Sequence, residues 1–163
     1  ALHVALKYNL DLTLTRIARM INETMPEYVA NIAIKALEKA KIDIEKAKIG
    51  ILGLAFRGNI GDTRLTPVID LIHYLESCGV RNITIHDPYA QDNPTRYPFT
   101  RDLKDVLAKS DLIIIATDHT VYAEILPEIL SKRSKKLIII DGRNVLHNKK
   151  LGTNITYISI GGP

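Results

Sequence analysis

The stretch from Ile49 to Arg64 constrains the fold of this 163-residue chain more than any other part of the sequence. It begins with a short apolar run, Ile49 to Leu54, of the kind that forms a strand buried on both faces of a sheet. A loop with three glycines follows. A helix then begins at Thr66, a good N-cap residue, and Pro67, which suits the first helical position. The stretch predicts a strand, a long glycine-rich loop and a helix in direct succession.

This succession is a geometry that binds phosphate, because glycines allow close backbone approach and the first amides of a helix point at the anion. Arg57 and Arg64 add guanidinium groups, whose planar fork suits a diphosphate. The alternative is a solvated loop whose arginines pair with Asp62 or with the surface. The sequence has neither the G-x-x-x-x-G-K-[ST] nor the G-x-G-x-x-G motif, so a P-loop and the usual dinucleotide fingerprint are excluded.

Strand and helix patterns alternate from Lys48 onward. They predict strands over 49–54, 82–86, 111–116, 136–140 and 155–158. Helices are predicted over 67–77, over 101–109 with Thr100 as its cap, and over about 121–130 with an interruption at Pro127; residues 87–100 are predicted to be a loop. Short, β-branched apolar runs between helices indicate an α/β fold with a doubly wound parallel sheet.

Residues 1–46 are predicted to be helical throughout, with a kink or a restart at Pro26. The segment carries two apolar stripes at helical spacing, one before Pro26 and one after it. A helical segment cannot bury two such stripes by itself. It needs the following domain, a domain outside this chain, or a second subunit, and we favour the last two.

Polar residues follow each predicted strand at the edge of the sheet where ligands bind in such folds. They are Arg57 and Arg64, Asp87-Pro88-Tyr89, Thr117-Asp118-His119, and Asp141-Gly142-Arg143-Asn144. Each set also has a plain structural interpretation: turns at Asp87 and Asp141, an N-cap at Asp118, a supporting role for His119, and an ion pair at Arg143. Three arginines at one edge nevertheless favour an anionic ligand.

Composition excludes several other classes. A net charge of +4, with no aromatic residues between the basic runs 131–136 and 147–150, argues against nucleic-acid binding. No apolar run approaches the roughly 20 residues that span a bilayer. The single cysteine, Cys78, excludes an internal disulfide and agrees with a reducing cytoplasm, and the sequence contains no metal-ligand spacing and no catalytic set.

Five motifs in order resemble the C-terminal half of the nucleotide-sugar 6-dehydrogenases, the family of the UDP-glucose and UDP-N-acetylmannosamine dehydrogenases. They are Arg19-Met-Ile-Asn-Glu-Thr-Met-Pro26, Gly53-Leu-Ala-Phe-Arg-Gly-Asn-Ile-Gly-Asp-Thr-Arg64, Asp87-Pro-Tyr89, Ala116-Thr-Asp-His119 and Asp141-Gly-Arg-Asn-Val-Leu146. Together they cover residues from about 16 to 163.

The resemblance implies different roles for two segments of the chain. Residues 1–46 would contain a helix that forms a homodimer, and residues 47–163 a Rossmann-like domain that binds the UDP-sugar. The NAD-binding domain and the loop with the catalytic cysteine are expected before Ala1, and Cys78 does not match that cysteine. In the family, two hydride transfers oxidise the C6 alcohol to a carboxylate, through a thiohemiacetal and a thioester on the cysteine.

The same resemblance assigns site residues. Arg57, after Phe56, stands where the family usually has a lysine that contacts the UDP-sugar. Arg143 matches an arginine near the sugar nucleotide, and Arg64 matches the arginine that reaches NAD. The usual Arg-Glu-Ser-Pro reads Arg64-Leu-Thr-Pro67 here, so a glutamate is lost. Ala-Thr-Asp-His and Met-Pro favour the N-acetylmannosamine branch over the glucose branch.

The sequence therefore predicts the UDP-sugar-binding part of a cytoplasmic, NAD-dependent dehydrogenase that is inactive as this chain alone. The alternatives are a UDP-glucose 6-dehydrogenase fragment, a stand-alone nucleotide-binding or regulatory module, and a purely structural dimerisation unit.

Overall fold

The computed structural model describes residues 7–8 and 11–161 of the chain. The helices are α1 (Thr13–Lys39), α2 (Val68–Ser77), α3 (Leu103–Lys109) and α4 (Thr120–Ser131). The strands are β1 (Lys48–Leu52), β2 (Asn82–His86), β3 (Phe99–Thr100), β4 (Leu112–Ile115), β5 (Leu137–Asp141) and β6 (Ile155–Ser159).

The six strands form one sheet in the order β3-β2-β1-β4-β5-β6, and every neighbouring pair is parallel. β4 and all but the first residue of β1 are fully buried, as expected for apolar runs covered by helices on both faces. This arrangement confirms the predicted α/β fold with a doubly wound, Rossmann-like parallel sheet. The strand order reverses between β1 and β4, so their carboxyl ends open a crevice where ligands bind in such sheets.

Two apolar clusters hold the helices against the sheet. One joins the second half of α1 and all of α2 to one face, through residues such as Ala33, Leu37 and Leu75. The other joins α3 and α4 to the opposite face, with Tyr122 as its largest fully buried side chain. Helices therefore cover both faces of the sheet.

The two halves of α1 have different surroundings. After Pro26, the residues Ala30, Ala33, Ala36 and Leu37 are buried against α2 and the sheet. Before Pro26, Leu14, Ile17, Met20 and Ile21 are exposed. The second apolar stripe is therefore covered by the chain's own domain, whereas the first is not. Among the described helices, none has both the length and the apolar character needed to cross a membrane.

Several predicted boundaries were wrong. α1 ends at Lys39 rather than 46, and residues 1–6, 9 and 10 of the predicted helix lie outside the described part. α1 does not restart at Pro26, and α4 is not interrupted at Pro127, because buried neighbours such as Ala30 and Leu126 hold each helix despite one lost backbone hydrogen bond.

The segment 87–100 also differs from its predicted loop. Its last two residues form β3, which pairs with β2 through Ile85 and His86. A two-residue strand carries no periodicity, so the sequence could not reveal it. Thr100 therefore lies in a strand, and Asp102 caps α3 instead by accepting a hydrogen bond from the amide of Asp105 at 3.0 Å.

Candidate functional site at the carboxyl edge of the sheet

The segment Gly53–Thr66, hereafter the glycine-rich loop, connects β1 to α2 and contains no helix or strand. Its glycines lie against neighbouring backbone. A Cβ at Gly58 would stand 2.4 Å from the Asp118 carbonyl oxygen, and one at Gly61 would stand 2.2 Å from that of Tyr89. Gly53 has a φ of +97°, which only glycine adopts readily. The glycines are therefore required by contacts within the protein, whatever they allow a ligand to do.

Asp87 anchors the start of this loop. It is fully buried at the end of β2, and its Oδ2 accepts hydrogen bonds from the amides of Leu54 at 2.7 Å and Ala55 at 2.9 Å. Its Oδ1 accepts from the amides of Tyr89 and Ala90. Burial raises the pKa of Asp87, but hydrogen bonds from His119 and these amides outweigh it and leave the pKa well below its usual range. Asp87 is therefore a buried carboxylate that joins two loops.

His119 anchors the middle of the loop. It is fully buried, its Nε2 lies 3.0 Å from Asp87 Oδ2, and its Nδ1 accepts a hydrogen bond from the Asn59 amide at 2.9 Å. The Asn59 side chain also bonds to Thr120, the first residue of α4, accepting from its amide and donating to its hydroxyl. Asn59 thus caps α4 from a distant part of the chain, the role predicted for Asp118.

Asp118 instead connects two of the predicted site residues. Its carboxylate accepts a hydrogen bond from the Arg143 guanidinium at 3.0 Å, and both side chains are about half exposed. Its carbonyl oxygen lies against Gly58, the neighbour of Arg57. The loops after β1, β4 and β5 therefore meet at Asp118, which brings Arg57 and Arg143 to one corner of the carboxyl edge.

Phe56 and Arg57 lie at the exposed turn of the glycine-rich loop. The Phe56 amide donates to the Asp62 carbonyl at 2.8 Å, which closes the turn. The Phe56 ring is 47% exposed, and the Arg57 guanidinium carbon lies 5.8 Å from its centre. Among the described residues Arg57 has no carboxylate partner, so its charge is available to a ligand.

Arg64 has its partner within the glycine-rich loop itself. It forms a two-pronged pair with Asp62, at 2.9 and 2.8 Å, and its side chain is 87% exposed. The hydrogen bonds from Arg64 lower the pKa of Asp62 to about 2. The interpretation of a loop arginine paired with Asp62 thus holds for Arg64, although the pair is open to solvent and a stronger anion could replace the carboxylate.

Asp141 organises the turn that carries Arg143. It is fully buried, and it accepts hydrogen bonds from the amides of Arg143 and Leu146 and from the Tyr157 hydroxyl. Burial and the hydrogen bond to Asp141 raise the pKa of Tyr157. The sequence alternative of a tight turn at Asp141, with Arg143 paired to a neighbouring carboxylate, is therefore what the structure contains.

Beneath the loops lies a buried aromatic group that the sequence did not single out. The Tyr122 hydroxyl donates to the His86 carbonyl at 3.1 Å and lies 2.9 Å from His86 Nδ1. Burial lowers the pKa of His86 and raises that of Tyr122, so both are uncharged near neutral pH. The Tyr122 ring meets the His119 ring edge to face. The buried rings of His86 and Tyr122 therefore pack beneath His119, which anchors the loop.

A cleft of about 300 Å³ opens beside Arg143, between α1, the start of α2 and the ends of β4 and β5. It is lined mainly by apolar groups, including Met25, Pro26 and Val29, with Asn22 at its rim. Among the described residues no cluster of three or more His, Cys, Asp or Glu side chains could hold a metal ion.

The glycine-rich loop, the strand-order reversal and the arginines at one edge define a nucleotide-binding domain of the Rossmann type. Residues 50–148, more than half of the chain, match the family described as "UDP-glucose/GDP-mannose dehydrogenase family, UDP binding domain". The chain belongs to this family, and the resemblance inferred from the five motifs is confirmed.

Relatives and solved structures agree with this membership. A UDP-N-acetyl-D-mannosamine dehydrogenase of Pyrococcus horikoshii is 38% identical over 87% of this chain and 32% of its own length. One from Methanococcus vannielii is 36% identical over 90% of this chain and 34% of its own. The solved UDP-D-ManNAc dehydrogenase of P. horikoshii superimposes with a TM-score of 0.76 at 37% identity, over 93% of this chain and 34% of that one. The chain thus spans about a third of the length of these relatives.

Proposed function

We propose that this chain is the UDP-sugar-binding C-terminal part of an NAD-dependent nucleotide-sugar 6-dehydrogenase. One observation carries the proposal: Arg57 and Arg143 lie on adjoining loops at the carboxyl edge, within the residues that match the UDP binding domain. Two guanidinium groups at one corner suit a diphosphate, since each can donate two hydrogen bonds to it.

Each site residue has a proposed role. Arg57 binds the UDP-sugar, and Phe56 beside it offers a half-exposed ring for an apolar contact. Arg143 binds the nucleotide from the adjoining loop, where some of its hydrogen bonds go to the diphosphate instead of to Asp118. The cleft beside Arg143 leaves room for part of the ligand. These loops bind and orient the substrate, whereas the reacting groups lie elsewhere.

In the full-length protein the reaction would oxidise the sugar C6 alcohol to a carboxylate, with one water consumed and two NAD molecules reduced. NAD, when bound, supplies the hydride acceptor. Arg64 fits a contact with it, because its guanidinium is 87% exposed and its single carboxylate partner, Asp62, is itself partly exposed. We assign the rest of NAD binding to a domain outside this chain.

The substrate we favour is UDP-N-acetyl-D-mannosamine, oxidised to UDP-N-acetyl-D-mannosaminuronate. The names of the relatives support this choice, as does Thr-Asp-His at 117–119. UDP-glucose is the alternative substrate. Steady-state kinetics of the full-length protein with both sugars tests the choice, and a higher kcat/KM for UDP-glucose would overturn it.

This chain alone should not turn over. Its single cysteine, Cys78, lies at the end of α2, four residues before the start of β2 and so at the opposite edge of the sheet from the arginines. We expect no NAD reduction with UDP-N-acetylmannosamine, and turnover above background would refute this. The single cysteine also supports a cytoplasmic location.

We further propose that residues 1–46 form a homodimer through α1, and that 47–163 is the UDP-sugar domain. Leu14, Ile17, Met20 and Ile21 give α1 an exposed apolar stripe over two turns, which a second copy would cover. Sedimentation should show a dimer that Ile17→Asp and Met20→Asp together convert to a monomer. Asn31→Asp, an exposed change in the second half of α1, is the matched control. A wild-type monomer would refute the dimer.

Calorimetric titration with UDP, and with NAD as the comparison ligand, tests the central proposal. Arg57→Ala or Arg143→Ala should each weaken UDP binding about tenfold or more, since each removes a charge-assisted hydrogen bond worth about 1.5–3 kcal/mol. The control is Arg81→Ala, an exposed arginine at the other edge of the sheet. NAD binding without UDP binding would reverse the assignment.

If UDP binds but neither Arg57→Ala nor Arg143→Ala weakens the binding, a stand-alone module with a different site is favoured. If neither UDP nor NAD binds, only the dimerisation unit remains. Both outcomes would refute the roles given to Arg57 and Arg143.

A further inference from the structure

The glycine-rich loop contains no helix or strand. Side chains elsewhere in the chain hold it at three places. Asp87 binds the amides of Leu54 and Ala55 at the start, His119 binds the amide of Asn59 in the middle, and Asp92 binds the hydroxyl of Thr63 near the end. Arg57 lies between the first attachment and the second.

The geometry around His119 fixes its protonation. The Asn59 amide is a donor and nothing else, so the Nδ1 atom that it contacts at 2.9 Å must carry a lone pair. The proton therefore resides on Nε2, which donates to Asp87 Oδ2 at 3.0 Å. A neutral ring in this tautomer satisfies both neighbours, whereas a protonated ring would set an N–H group against the Asn59 amide.

The Asn59 side chain strengthens this attachment. The Asn59 backbone is in the left-handed region, with a φ of +62°. The side-chain amide of Asn59 forms two hydrogen bonds with Thr120. Three hydrogen bonds therefore tie one loop residue to two consecutive residues, His119 and Thr120, at the start of α4. The middle of the loop is therefore held at Asn59, two residues after Arg57.

We propose that His119 is a positioning residue for the UDP-sugar site: its Nδ1 accepts from the Asn59 amide and so fixes the turn that presents Arg57, while the bond to Asp87 orients the ring. This rests on the proposed function, in which Arg57 binds the UDP-sugar. A fixed turn spares the ligand the entropy cost of ordering the loop when it binds. His119 is fully buried, so in this proposal it acts through the loop rather than by contact with the ligand.

Two substitutions separate the two arms of the imidazole. In His119→Asn the side-chain oxygen takes the place of Nδ1 and keeps an acceptor for Asn59, whereas the link to Asp87 is lost. In His119→Gln the terminal amide takes the place of Nε2 and keeps a donor for Asp87, whereas the Asn59 amide loses its acceptor. Both shorten or reshape a buried ring, so both should lower stability.

Titration with UDP should distinguish positioning from a merely structural role. We expect His119→Gln to weaken UDP binding about fivefold or more and His119→Asn to weaken it less than about twofold, because the Asn59 bond presents Arg57. Amide hydrogen exchange at Asn59 should accelerate in His119→Gln only. His147→Gln, an exposed histidine, is the control. Equal weakening by both variants would overturn the proposal.

A double-mutant cycle tests the route through Arg57. If His119 acts by presenting Arg57, the variant with both His119→Gln and Arg57→Ala should bind UDP no more weakly than Arg57→Ala alone. Additive losses would overturn the inference. Should Arg57→Ala itself leave UDP binding unchanged, the proposed function fails; should it weaken binding while His119→Gln does not, only this inference fails.

Discussion

Asp87 and Asp141 are both fully buried aspartates at the carboxyl edge of the sheet, yet they do different work. Asp141 binds the amides of Arg143 and Leu146 in its own turn and the hydroxyl of Tyr157 on the neighbouring strand β6, 16 residues later. Asp87 binds its own turn, and it also holds amides 32 and 33 residues earlier and a histidine 32 residues later.

The difference shows that two equally buried carboxylates can connect different numbers of chain segments. Asp141 shapes one turn, so the position of Arg143 depends mainly on local structure. Asp87 joins three segments that the sheet brings together, so the position of Arg57 depends on tertiary structure. A residue in the first situation is predictable from a short motif, whereas one in the second is not.

Removing each carboxylate should give the largest contrast. Asp87→Ala leaves four amides, three of them buried, and His119 without their acceptor, and it should lower the free energy of unfolding by about 3–5 kcal/mol. Asp141→Ala removes three hydrogen bonds, two of them within its own turn, and should cost about 1–3 kcal/mol. Urea denaturation measures both, with the exposed Glu124→Ala as the control. Equal losses would contradict the comparison.

The stability that Asp87 contributes should depend on pH. Because the folded-state pKa of Asp87 is depressed, its charge stabilises the fold fully above the unfolded carboxyl pKa of about 3.9, and that stability is lost as the pH falls below it. Asp87→Asn should therefore differ most from the wild type above about pH 4, and the two should converge in acid. A difference that stays constant with pH would show that the charge is not responsible.

The pair of Arg143 with Asp118 offers a smaller effect. Both side chains are about half exposed, so Asp118→Asn should change the free energy of unfolding by less than about 1 kcal/mol. UDP should bind about two- to threefold more tightly, because Arg143 no longer divides its hydrogen bonds between the carboxylate and the ligand. Calorimetric titration measures this. Weaker binding would instead mean that Asp118 holds Arg143 in its binding position.

The smallest effect is expected at Arg64. Its pair with Asp62 is open to solvent and lies outside both carboxylate networks, so Arg64→Ala should leave the unfolding midpoint and UDP binding unchanged. In the full-length protein it should raise the KM for NAD. If UDP binding weakened as much as in Arg57→Ala, the separation of substrate and cofactor arginines would be wrong.

Much of the fold was predictable because its signals are local. Five of the six strands and three of the four helices were expected at nearly their observed positions, since apolar periodicity is set by neighbouring residues. The errors occur where tertiary contacts prevail: two helices continue through Pro26 and Pro127, and β3 exists only because β2 offers it a partner.

The site divides in the same way. The sequence by itself determined the order of strands and helices, the family, and the arginines that we propose for binding a diphosphate. It suggested the turn at Asp141 and the ion pair of Arg143, because those bonds span few residues or two adjacent loops. Only the tertiary structure decided that His119 accepts from Asn59, 60 residues away, and donates to Asp87. The strand order β2-β1-β4 places their loops side by side, and no short-range pattern encodes that neighbourhood.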